Sequence, residues 1–239
     1  MAELKDKNGI PVVRFRRLTS TSDYAKSQKE KGQDLLVFAD SQKKGRGREG
    51  RSFSSKKGGL YLSWLHFPQG LPAKDGFFLV SKMSVAVCKT LESYGIKPAI
   101  KWPNDVLVDG KKICGILTEN TLSGDKISCA IVGVGINVNN RLERVLRPIA
   151  TSLRTEIGKK IPLKKVEEKL IENLTLPFDK ADYFARLGCL GEVEIIENGT
   201  RFAAFAEGVD DEGLLIVTID GKKEKKSAAE ISLRAKGNR

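Results

Sequence analysis

Nine consecutive residues, 43–51, combine five positive charges with three glycines and carry no apolar side chain. A segment of this composition cannot be fixed by packing, so it is predicted to be a mobile loop in the ligand-free protein. Glycine lets a backbone approach a ligand closely, and arginine offers a planar set of donors that matches phosphate or carboxylate. The segment therefore predicts a binding site for an anion, with a merely solvated basic loop as the alternative.

Two common nucleotide-binding motifs do not account for this loop. Gly45, Gly47 and Gly50 fit the spacing G-x-G-x-x-G, but that fingerprint requires a helix that opens at the last glycine. Residues 51–59 show no helical period and contain two further glycines. No G-x-x-x-x-G-K-[ST] sequence of a P-loop occurs anywhere in the chain. Neither a dinucleotide fold nor a P-loop is predicted.

A second polar group surrounds a predicted hairpin. Asp109 and Gly110 separate two apolar runs, which is the strongest short signal for a tight β-turn. Lys101 precedes this hairpin and Lys112 begins its return strand, so the two amines are expected near one end of it. Together with Asn104 and Asp105, they form a candidate site for phosphate and a metal ion. A purely structural turn is the alternative.

Hydroxyl groups and strand glycines mark two further candidates. The run Thr19-Ser20-Thr21-Ser22 precedes a short predicted helix, where its hydroxyls cap the helix or bind a small polar ligand. Residues 127–138 form an apolar run that contains Gly133 and Gly135. Glycine inside a strand indicates a bulge or a close approach of backbone and ligand.

Hydrophobic periodicity outlines the elements that must position these groups. Strands are predicted at 10–18, 35–39, 59–67 and 127–138, a buried helix at 77–94, and a helix at 163–174 that Pro177 ends. Residues 141–162 are predicted to be irregular. Four short strands at 191–197, 200–209, 214–219 and 227–233 predict a small appended barrel. The predicted domains are residues 1–188 and residues 189–239.

Composition limits the class of protein. The chain has 239 residues, a net charge of +12 and no stretch of 18–20 apolar residues, so no membrane span is predicted. The first residues lack the apolar core of a signal peptide, which indicates a cytoplasmic location. The four cysteines are far apart and the single histidine is His66, which argues against zinc and against histidine-based catalysis. The positive charge keeps a nucleic-acid-binding module open as an alternative.

In order along the chain, six motifs resemble those of the biotin protein ligases. They are Ser20-Thr21-Ser22, Gln42-x-x-Gly45-Arg46-Gly47-Arg48-x-Gly50-Arg51, Lys101-Trp-Pro-Asn-Asp105, Lys112-x-x-Gly115-Ile116, Gly133-x-Gly135-Ile-Asn137 and Glu230-Ile-Ser-Leu-Arg234. The resemblance implies an α+β fold, with a mixed sheet flanked by helices and a small C-terminal SH3-like barrel. It also implies a ligase that uses ATP and Mg²⁺ to convert biotin to biotinyl-5′-AMP, and then transfers biotin to a lysine of a carboxylase carrier domain.

The resemblance assigns roles to individual residues. The implied biotin contacts are Ser20, Thr21, Ser22, Gln42, Gly45, Arg46, Gly47, Lys101, Gly115 and Ile116. The implied ATP contacts are Arg46, Arg48, Arg51, Phe53, Asn104, Lys112, Asn137 and Arg234. The implied catalytic residues are Arg48, Lys101 and Lys112, and Asp105 is the implied Mg²⁺ ligand.

Two positions depart from the family pattern. Ser22 stands where an asparagine is common, and Phe53 stands where a tryptophan usually stacks on adenine. Phenylalanine offers less stacking area, so weaker nucleotide binding with the same activity is expected.

The resemblance also bears on DNA binding, on the choice of substrate and on the oligomeric state. The predicted catalytic strand begins near residue 10, so no N-terminal operator-binding domain and no repressor function are expected. A lipoate–protein ligase, which shares the fold and the adenylate chemistry, is the alternative enzyme. The sequence leaves open whether two copies pair through a sheet edge as a homodimer.

Overall fold

The computed structural model describes residues 3–7, 9–229 and 231–235, with side chains described for residues 9–48, 50–229, 231 and 233. In this part of the chain there are two β-sheets and five α-helices. The strands of the larger sheet are β1 Glu3–Lys7, β2 Ile10–Phe15, β3 Leu35–Ala39, β4 Leu60–His66, β5 Ala99–Lys101, β6 Asp105–Val108, β7 Lys111–Ser123 and β8 Lys126–Ile136. The helices are α1 Thr21–Ser27, α2 Phe77–Glu92, α3 Leu153–Ile157, α4 Leu163–Thr175 and α5 Lys180–Phe184.

The larger sheet is mixed, as expected. Its strand order is β1-β2-β3-β4-β8-β7-β6-β5. Only the β2–β3 pair is parallel among the described strands, because α1 connects those two strands as a crossover. The central strands β3 and β4 are buried along almost their whole length, which matches their near-continuous apolar sequences.

Helices cover both faces of this sheet. One face packs against α2 and α4 and holds the main core, which includes Leu36, Leu62 and Val132. The other face packs against α1 and holds a smaller cluster that includes Val37 and Leu65. Successive strand residues point to opposite faces, so neighbours such as Leu36 and Val37 belong to different cores.

The smaller sheet contains β9 Gly191–Glu197, β10 Thr200–Val209, β11 Leu215–Ile219, β12 Lys222–Lys226 and β13 Ile231–Ala235. Its strand order is β12-β11-β10-β9-β13. The sheet is open in the described part of the chain, because β12 and β13 form its two edges, so the expected closed barrel is wrong in that detail. Strand β12 carries four lysines, and charge on an edge strand opposes further pairing.

The tight turns agree with the sequence prediction. Asp109-Gly110 joins β6 to β7, Asn198-Gly199 joins β9 to β10, and Asp220-Gly221 joins β11 to β12. All six of these residues have positive φ, between 47° and 80°. This is the conformation that two-residue hairpin turns require at both positions.

The prediction missed the elements with weak hydrophobic patterns. Strands β1 and β12 are rich in charge. Helices α3 and α5 have only five residues each, and α3 lies in the segment predicted to be irregular. Its Ser152 cap and Gly158 stop are ordinary helix signals. The last predicted strand, 227–233, lies instead at Ile231–Ala235.

All four cysteines are free and buried, and burial raises the pKa of the Cys88 thiol to about 12. Within the described residues, no helix combines the length and the apolar character needed to cross a membrane.

Asp34 joins the ends of β3 and β4. Its carboxylate accepts hydrogen bonds from His66 Nδ1 at 2.6 Å, from the Phe67 N–H at 2.9 Å and from Trp64 Nε1 at 3.2 Å. Burial raises the pKa of Asp34, but the hydrogen bonds from His66, Phe67 and Trp64 outweigh burial and lower the pKa below its ordinary value. The ionised form therefore stabilises the fold.

We expect Asp34→Asn to lower the free energy of unfolding at pH 7 by about 1–3 kcal/mol, because charge-assisted hydrogen bonds are lost. The native pKa is depressed, so the contribution of Asp34 is present above the unfolded pKa of about 3.9 and is lost as pH falls through the native pKa. Urea unfolding of both proteins at pH 7, 4 and 3 measures the difference. Asp75→Asn is the control, and a difference that grows on acidification would contradict this account.

Candidate functional site

A cavity lies on the α1 face of the larger sheet, above positions that carry no side chain. Strand pairing places Tyr61, Gly135 and Gly115 in one row across β4, β8 and β7, and Ser63, Gly133 and Leu117 in the next row. The three glycines leave the sheet surface bare where the neighbouring row has Leu65 and Ile131. This absence of side chains creates the space.

The cavity has a volume of about 250 Å³, near the lower end for small-molecule sites. Residues from α1, from the loop after β3, from β4 to β8 and from β13 surround it. They are Ser20, Thr21, Ser22, Gln42, Arg46, Gly47, Arg48, Arg51, Ser52, Phe53, Leu62, Lys101, Trp102, Pro103, Asn104, Asp105, Lys112, Gly115, Ile116, Leu117, Gly133, Val134, Gly135, Ile231 and Leu233.

One end of the cavity has a floor of uncharged polar groups. Gln42 Oε1 accepts from the Thr21 N–H at 2.7 Å and from Thr21 Oγ1 at 3.1 Å. Ser63 Oγ donates to Thr21 Oγ1 at 2.8 Å and lies 3.0 Å from Ser22 Oγ. Ser20 caps α1 by accepting from the Asp23 N–H at 3.3 Å, so the capping hypothesis holds for Ser20. The hydroxyls of Thr21, Ser22 and Ser63 form a network, and of these Thr21 and Ser22 line the cavity.

The glycine- and arginine-rich loop forms one rim of the cavity. It is held across its base by hydrogen bonds from Gly47 N to Arg51 O at 2.7 Å and from Phe53 N to Gly45 O at 2.9 Å. Gly45 is required there, because a Cβ atom would overlap Ser55 Oγ and the Phe53 carbonyl oxygen. The loop thus has an ordered base, and its predicted mobility stays a prediction.

Three arginines of this loop differ in their surroundings. Arg46 is bound at its Nη2 atom by Glu119 at 2.8 Å and by Asp23 at 3.2 Å. Arg48 crosses the cavity and donates to Asn104 Oδ1 at 3.5 Å and to the Ala228 carbonyl oxygen. Arg51 donates from Nε to the Arg48 carbonyl oxygen at 3.3 Å. Arg48 therefore joins the loop both to the hairpin and to the segment before β13.

The hairpin forms the opposite rim. Lys112 Nζ lies 2.6 Å from Asp105 Oδ1, and the Lys112 backbone pairs with Ile149 and Thr151 on its other side. The backbone of Asn104 accepts a hydrogen bond from the Ile116 N–H at 2.9 Å, which fixes this turn against β7. Lys101 also lines the cavity, so Lys101 and Lys112 border the same space, and the phosphate contact predicted for them stays a prediction.

Phe53 covers the bare part of the sheet. A Cβ atom on Gly135 would overlap its ring, and one on Gly115 would lie 3.3 Å from Phe53 Cε2. The Lys112 amine lies 6.0 Å from the centre of the same ring, within the range of a cation–π interaction. Phe53 thus lies between Lys112 on the rim and the glycines of β7 and β8.

The smaller sheet closes one side of the cavity through Ile231 and Leu233. Trp102 anchors it, because its Nε1 donates to the Gly213 carbonyl oxygen at 2.9 Å and its ring is buried with Cys189 and Val193. Both sheets therefore contribute to one site.

Most of the predicted site residues come together here, and two of those with described side chains, Gly45 and Asn137, do not line the cavity. Gly45 supports the loop from behind. Asn137 is buried, and its Oδ1 atom accepts from Asn140 Nδ2 at 2.9 Å. The Arg234 side chain lies outside the described residues, as does residue 230. The roles predicted for these positions stay predictions.

Sequence reasoning missed several groups that shape the site. Ser63, Glu119 and Asp23 position predicted residues, and Trp102, Ile231 and Leu233 bring in the smaller sheet. The signal for Ser63 was a single serine inside the strongly apolar strand β4.

The close contact between Gly135 and the Phe53 ring leads to a prediction about stability. We expect Gly135→Ala to destabilise the protein by about 1–3 kcal/mol, because the added methyl group overlaps Phe53 in a packed site. The same change in a Phe53→Ala background should cost clearly less, since the ring is gone. Urea unfolding of the four proteins of this double-mutant cycle measures the coupling. Equal costs in both backgrounds would show that Phe53 does not rest on Gly135.

Comparison with known proteins agrees with this geometry. Residues 14–137 match the model of the biotin/lipoate A/B protein ligase family. The chain is 37% identical over 218 residues to the bifunctional ligase/repressor BirA of Bacillus subtilis, with 83% of this chain and 66% of the relative covered. It is 30% identical to the biotin–[acetyl-CoA-carboxylase] ligase of Paracoccus denitrificans, with 82% and 88% covered. The chain therefore spans just under two thirds of the length of the Bacillus relative.

Solved structures extend the agreement to the fold. The biotin protein ligase from Aquifex aeolicus in complex with biotin and ATP superimposes with a TM-score of 0.75 at 29% identity, covering 94% of this chain and 99% of that one. A point mutant of the same Aquifex enzyme, in complex with biotin, superimposes with a TM-score of 0.76 at 28% identity, covering 94% of this chain and 98% of that one. Nearly the whole chain is covered in both comparisons, which confirms the predicted fold class. The chain belongs to the biotin/lipoate A/B protein ligase family.

Proposed function

We propose that this protein is a biotin protein ligase, which activates biotin with ATP and transfers it to a lysine of a carboxylase carrier domain. The observation that carries the proposal is one cavity with two unlike ends. A floor of buried hydroxyl groups and the Gln42 amide suits an uncharged polar head, and four cationic residues, Arg48, Arg51, Lys101 and Lys112, line the rest of the cavity. The names of the Paracoccus and Aquifex relatives support biotin, ATP and a carboxylase as the substrates.

In the first half-reaction, a biotin carboxylate oxygen attacks the α-phosphorus of ATP. The new bond is O–P, the bond from the α-phosphorus to the β-bridging oxygen breaks, and pyrophosphate leaves. Negative charge increases on the phosphoryl oxygens and on the leaving group, so preplaced cations are the catalysts required. We assign this role to Arg48, Lys101 and Lys112, with Arg51 close to the phosphates.

The binding roles follow the arrangement of the cavity. The biotin head would lie among Ser20, Thr21, Ser22 and Gln42, with Gly115, Ile116, Gly47 and the Arg46 segment along it and Gly45 behind the loop. Adenosine would contact Phe53 and Asn104, and Asn137 and Arg234 remain proposed ATP contacts. The Arg46 side chain is bound to Asp23 and Glu119, so a phosphate contact from it would require exchange of these partners.

In the second half-reaction, the carrier lysine amine attacks the acyl carbon of the adenylate. A C–N bond forms, the bond from the acyl carbon to the phosphate oxygen breaks, and AMP leaves. The mixed anhydride is sensitive to water. A loop that closes over the adenylate protects it from hydrolysis until the carrier domain binds. We assign this role to the loop at 43–51, which forms one rim of the cavity.

A magnesium ion fits this site only together with the nucleotide. Asp105 is the one carboxylate among the described lining residues, and it is bound to Lys112. No group of three or more potential metal-binding side chains occurs in the described part of the chain. Mg²⁺ commonly binds through one or two carboxylates plus substrate phosphates, so Asp105 is the proposed protein contribution, and the ion would supply neutralisation of phosphate charge.

The remaining assignments are also proposals. We place the catalytic domain at residues 1–188 and a C-terminal domain at residues 189–239, because the two sheets have separate cores. A cytoplasmic location suits an enzyme that modifies a carboxylase. The alternative of a lipoate–protein ligase is tested by comparing biotin with lipoate in the same adenylation assay.

Removal of one rim cation tests the mechanism. We expect Lys112→Ala and Arg48→Ala each to lower biotin-dependent ATP–pyrophosphate exchange by about 10²–10³-fold, because each removes a preplaced charge from the reacting phosphate. Lys111→Ala, which removes the neighbouring exposed lysine, is the matched control and should keep wild-type exchange. Circular dichroism verifies the fold. Wild-type exchange in Arg48→Ala or Lys112→Ala would refute the assignment.

Closure of the loop at 43–51 can be measured independently of catalysis. Amide hydrogen exchange in residues 43–51 should slow when biotin, ATP and Mg²⁺ are supplied together, since the adenylate neutralises and orders the cationic loop. Residues in β3, which is already buried, serve as the internal control. Equal exchange with and without the ligands would show that the loop does not close.

A further inference from the structure

The polar floor of the cavity is a hydrogen-bond chain whose direction is fixed at its ends. The Thr21 N–H can only donate, and it lies 2.7 Å from Gln42 Oε1, so this atom must be the amide oxygen. Gln42 Nε2 then faces Ser55 Oγ at 2.9 Å, and Ser55 gives its own proton to the Phe53 carbonyl oxygen at 3.0 Å. A flipped Gln42 amide or a rotated Ser55 hydroxyl would lose at least one of these hydrogen bonds.

The remaining hydroxyl protons follow from this orientation, because a hydroxyl group has one proton to donate. Thr21 Oγ1 donates to Gln42 Oε1 at 3.1 Å. It must therefore accept in its 2.8 Å contact with Ser63 Oγ. Ser63 has then used its proton, so Ser22 is the donor in the 3.0 Å contact between Ser22 and Ser63. The protons run in one direction, from Ser22 through Ser63 and Thr21 to Gln42.

This direction determines what the cavity offers to a ligand. Ser22 lines the cavity, and its proton points away from the ligand toward Ser63, so only its lone pairs face the open space. Ser63 itself is fully buried and is not part of the lining. The space in front of Ser22 is open because residue 133 is glycine, where a Cβ atom would lie 3.2 Å from Ser22 Oγ.

We propose that Ser63 is a positioning residue that makes Ser22 a hydrogen-bond acceptor and so selects a ligand head with an N–H donor at that point. A cyclic urea supplies such a donor, whereas a dithiolane ring has none. This inference rests on the proposed function and deepens it, because it names the group that would distinguish the cyclic urea of biotin from the dithiolane ring of lipoate. The effect is indirect, through the orientation of Ser22 and Thr21.

The test compares ligands in wild-type protein and in Ser63→Ala. The probes are biotin and the two biotins that carry one methyl group on a ureido nitrogen, each assayed by ATP–pyrophosphate exchange. In Ser63→Ala the Ser22 hydroxyl loses its acceptor and rotates freely. We expect the KM for biotin to rise about tenfold, the KM for ATP to stay unchanged, and the preference for biotin over the more strongly rejected methyl derivative to fall about tenfold.

Matched variants separate positioning from general damage. Ser84 is also fully buried, on α2, and donates to the Val80 carbonyl oxygen at 2.8 Å, so Ser84→Ala should leave both KM values and the ligand preference unchanged. Ser63→Cys keeps a weak donor and acceptor and should give intermediate values. It also decides the question if Ser63→Ala does not fold.

The outcomes distinguish the inference from the function on which it rests. Wild-type ligand preference in Ser63→Ala, or in Ser63→Cys if only that variant folds, overturns the role of Ser63 while leaving a biotin ligase intact. A wild-type protein that forms no adenylate with biotin overturns the proposed function itself. An equal rise in the KM values for biotin and ATP also overturns the inference, since a positioning role at the floor affects biotin alone.

Discussion

The site depends on the register between β4, β8 and β7. That register places Gly133 and Gly135 in adjacent rows, with Gly115 next to Gly135, and so removes side chains from one patch of an otherwise covered sheet face. Side chains alternate between faces, so a shift of one residue would exchange the glycines for the large residues that now point into the main core. The pairing of β7 with β8 runs from Cys114 opposite Ile136 to Ser123 opposite Lys126, and so extends well beyond the glycine rows.

Charge is distributed unequally around this patch. The floor against α1 is made of buried hydroxyls and one amide, each satisfied by a neighbour, so it can bind an uncharged head without a large desolvation cost. Arg46 pairs with Asp23 of α1 and with Glu119, whereas Arg48, Arg51, Lys101 and Lys112 lie farther along the cavity, on the loop after β3 and on the β5–β7 segment. The two ends therefore suit a molecule with a neutral head and an anionic tail, as the proposed biotinyl-5′-AMP has.

The two sheets cooperate through a small number of contacts. Trp102 extends from the larger sheet into the core of the smaller one, and Arg48 reaches from the loop to the Ala228 carbonyl oxygen. Ile231 and Leu233 of β13 complete the cavity wall. A change in the position of the smaller sheet would thus alter the shape of the cavity. The smaller sheet therefore contributes to the site as well as forming a core of its own.

The sequence by itself determined the local features, because they depend on residues close together in the chain. The hairpin at Asp109-Gly110 requires positive φ, the strand at 35–39 is continuously apolar, and the spacing of Gly45, Arg46, Arg48 and Arg51 predicts an anion-binding loop. The ordered motifs also pointed to the family. Elements with charged or very short sequences, such as β12 and α3, were missed because periodicity cannot distinguish them from loops.

Only the tertiary structure decided which partners these residues have. Ser63 contacts Thr21 and Ser22 from a distant strand, Glu119 binds Arg46 across the sheet, and Trp102 joins a sheet whose residues lie far later in the chain. Such contacts depend on strand order and register, which no short window of sequence contains. For the same reason Asn137, which the motif placed at the ligand, was found hydrogen-bonded to Asn140 beside the cavity.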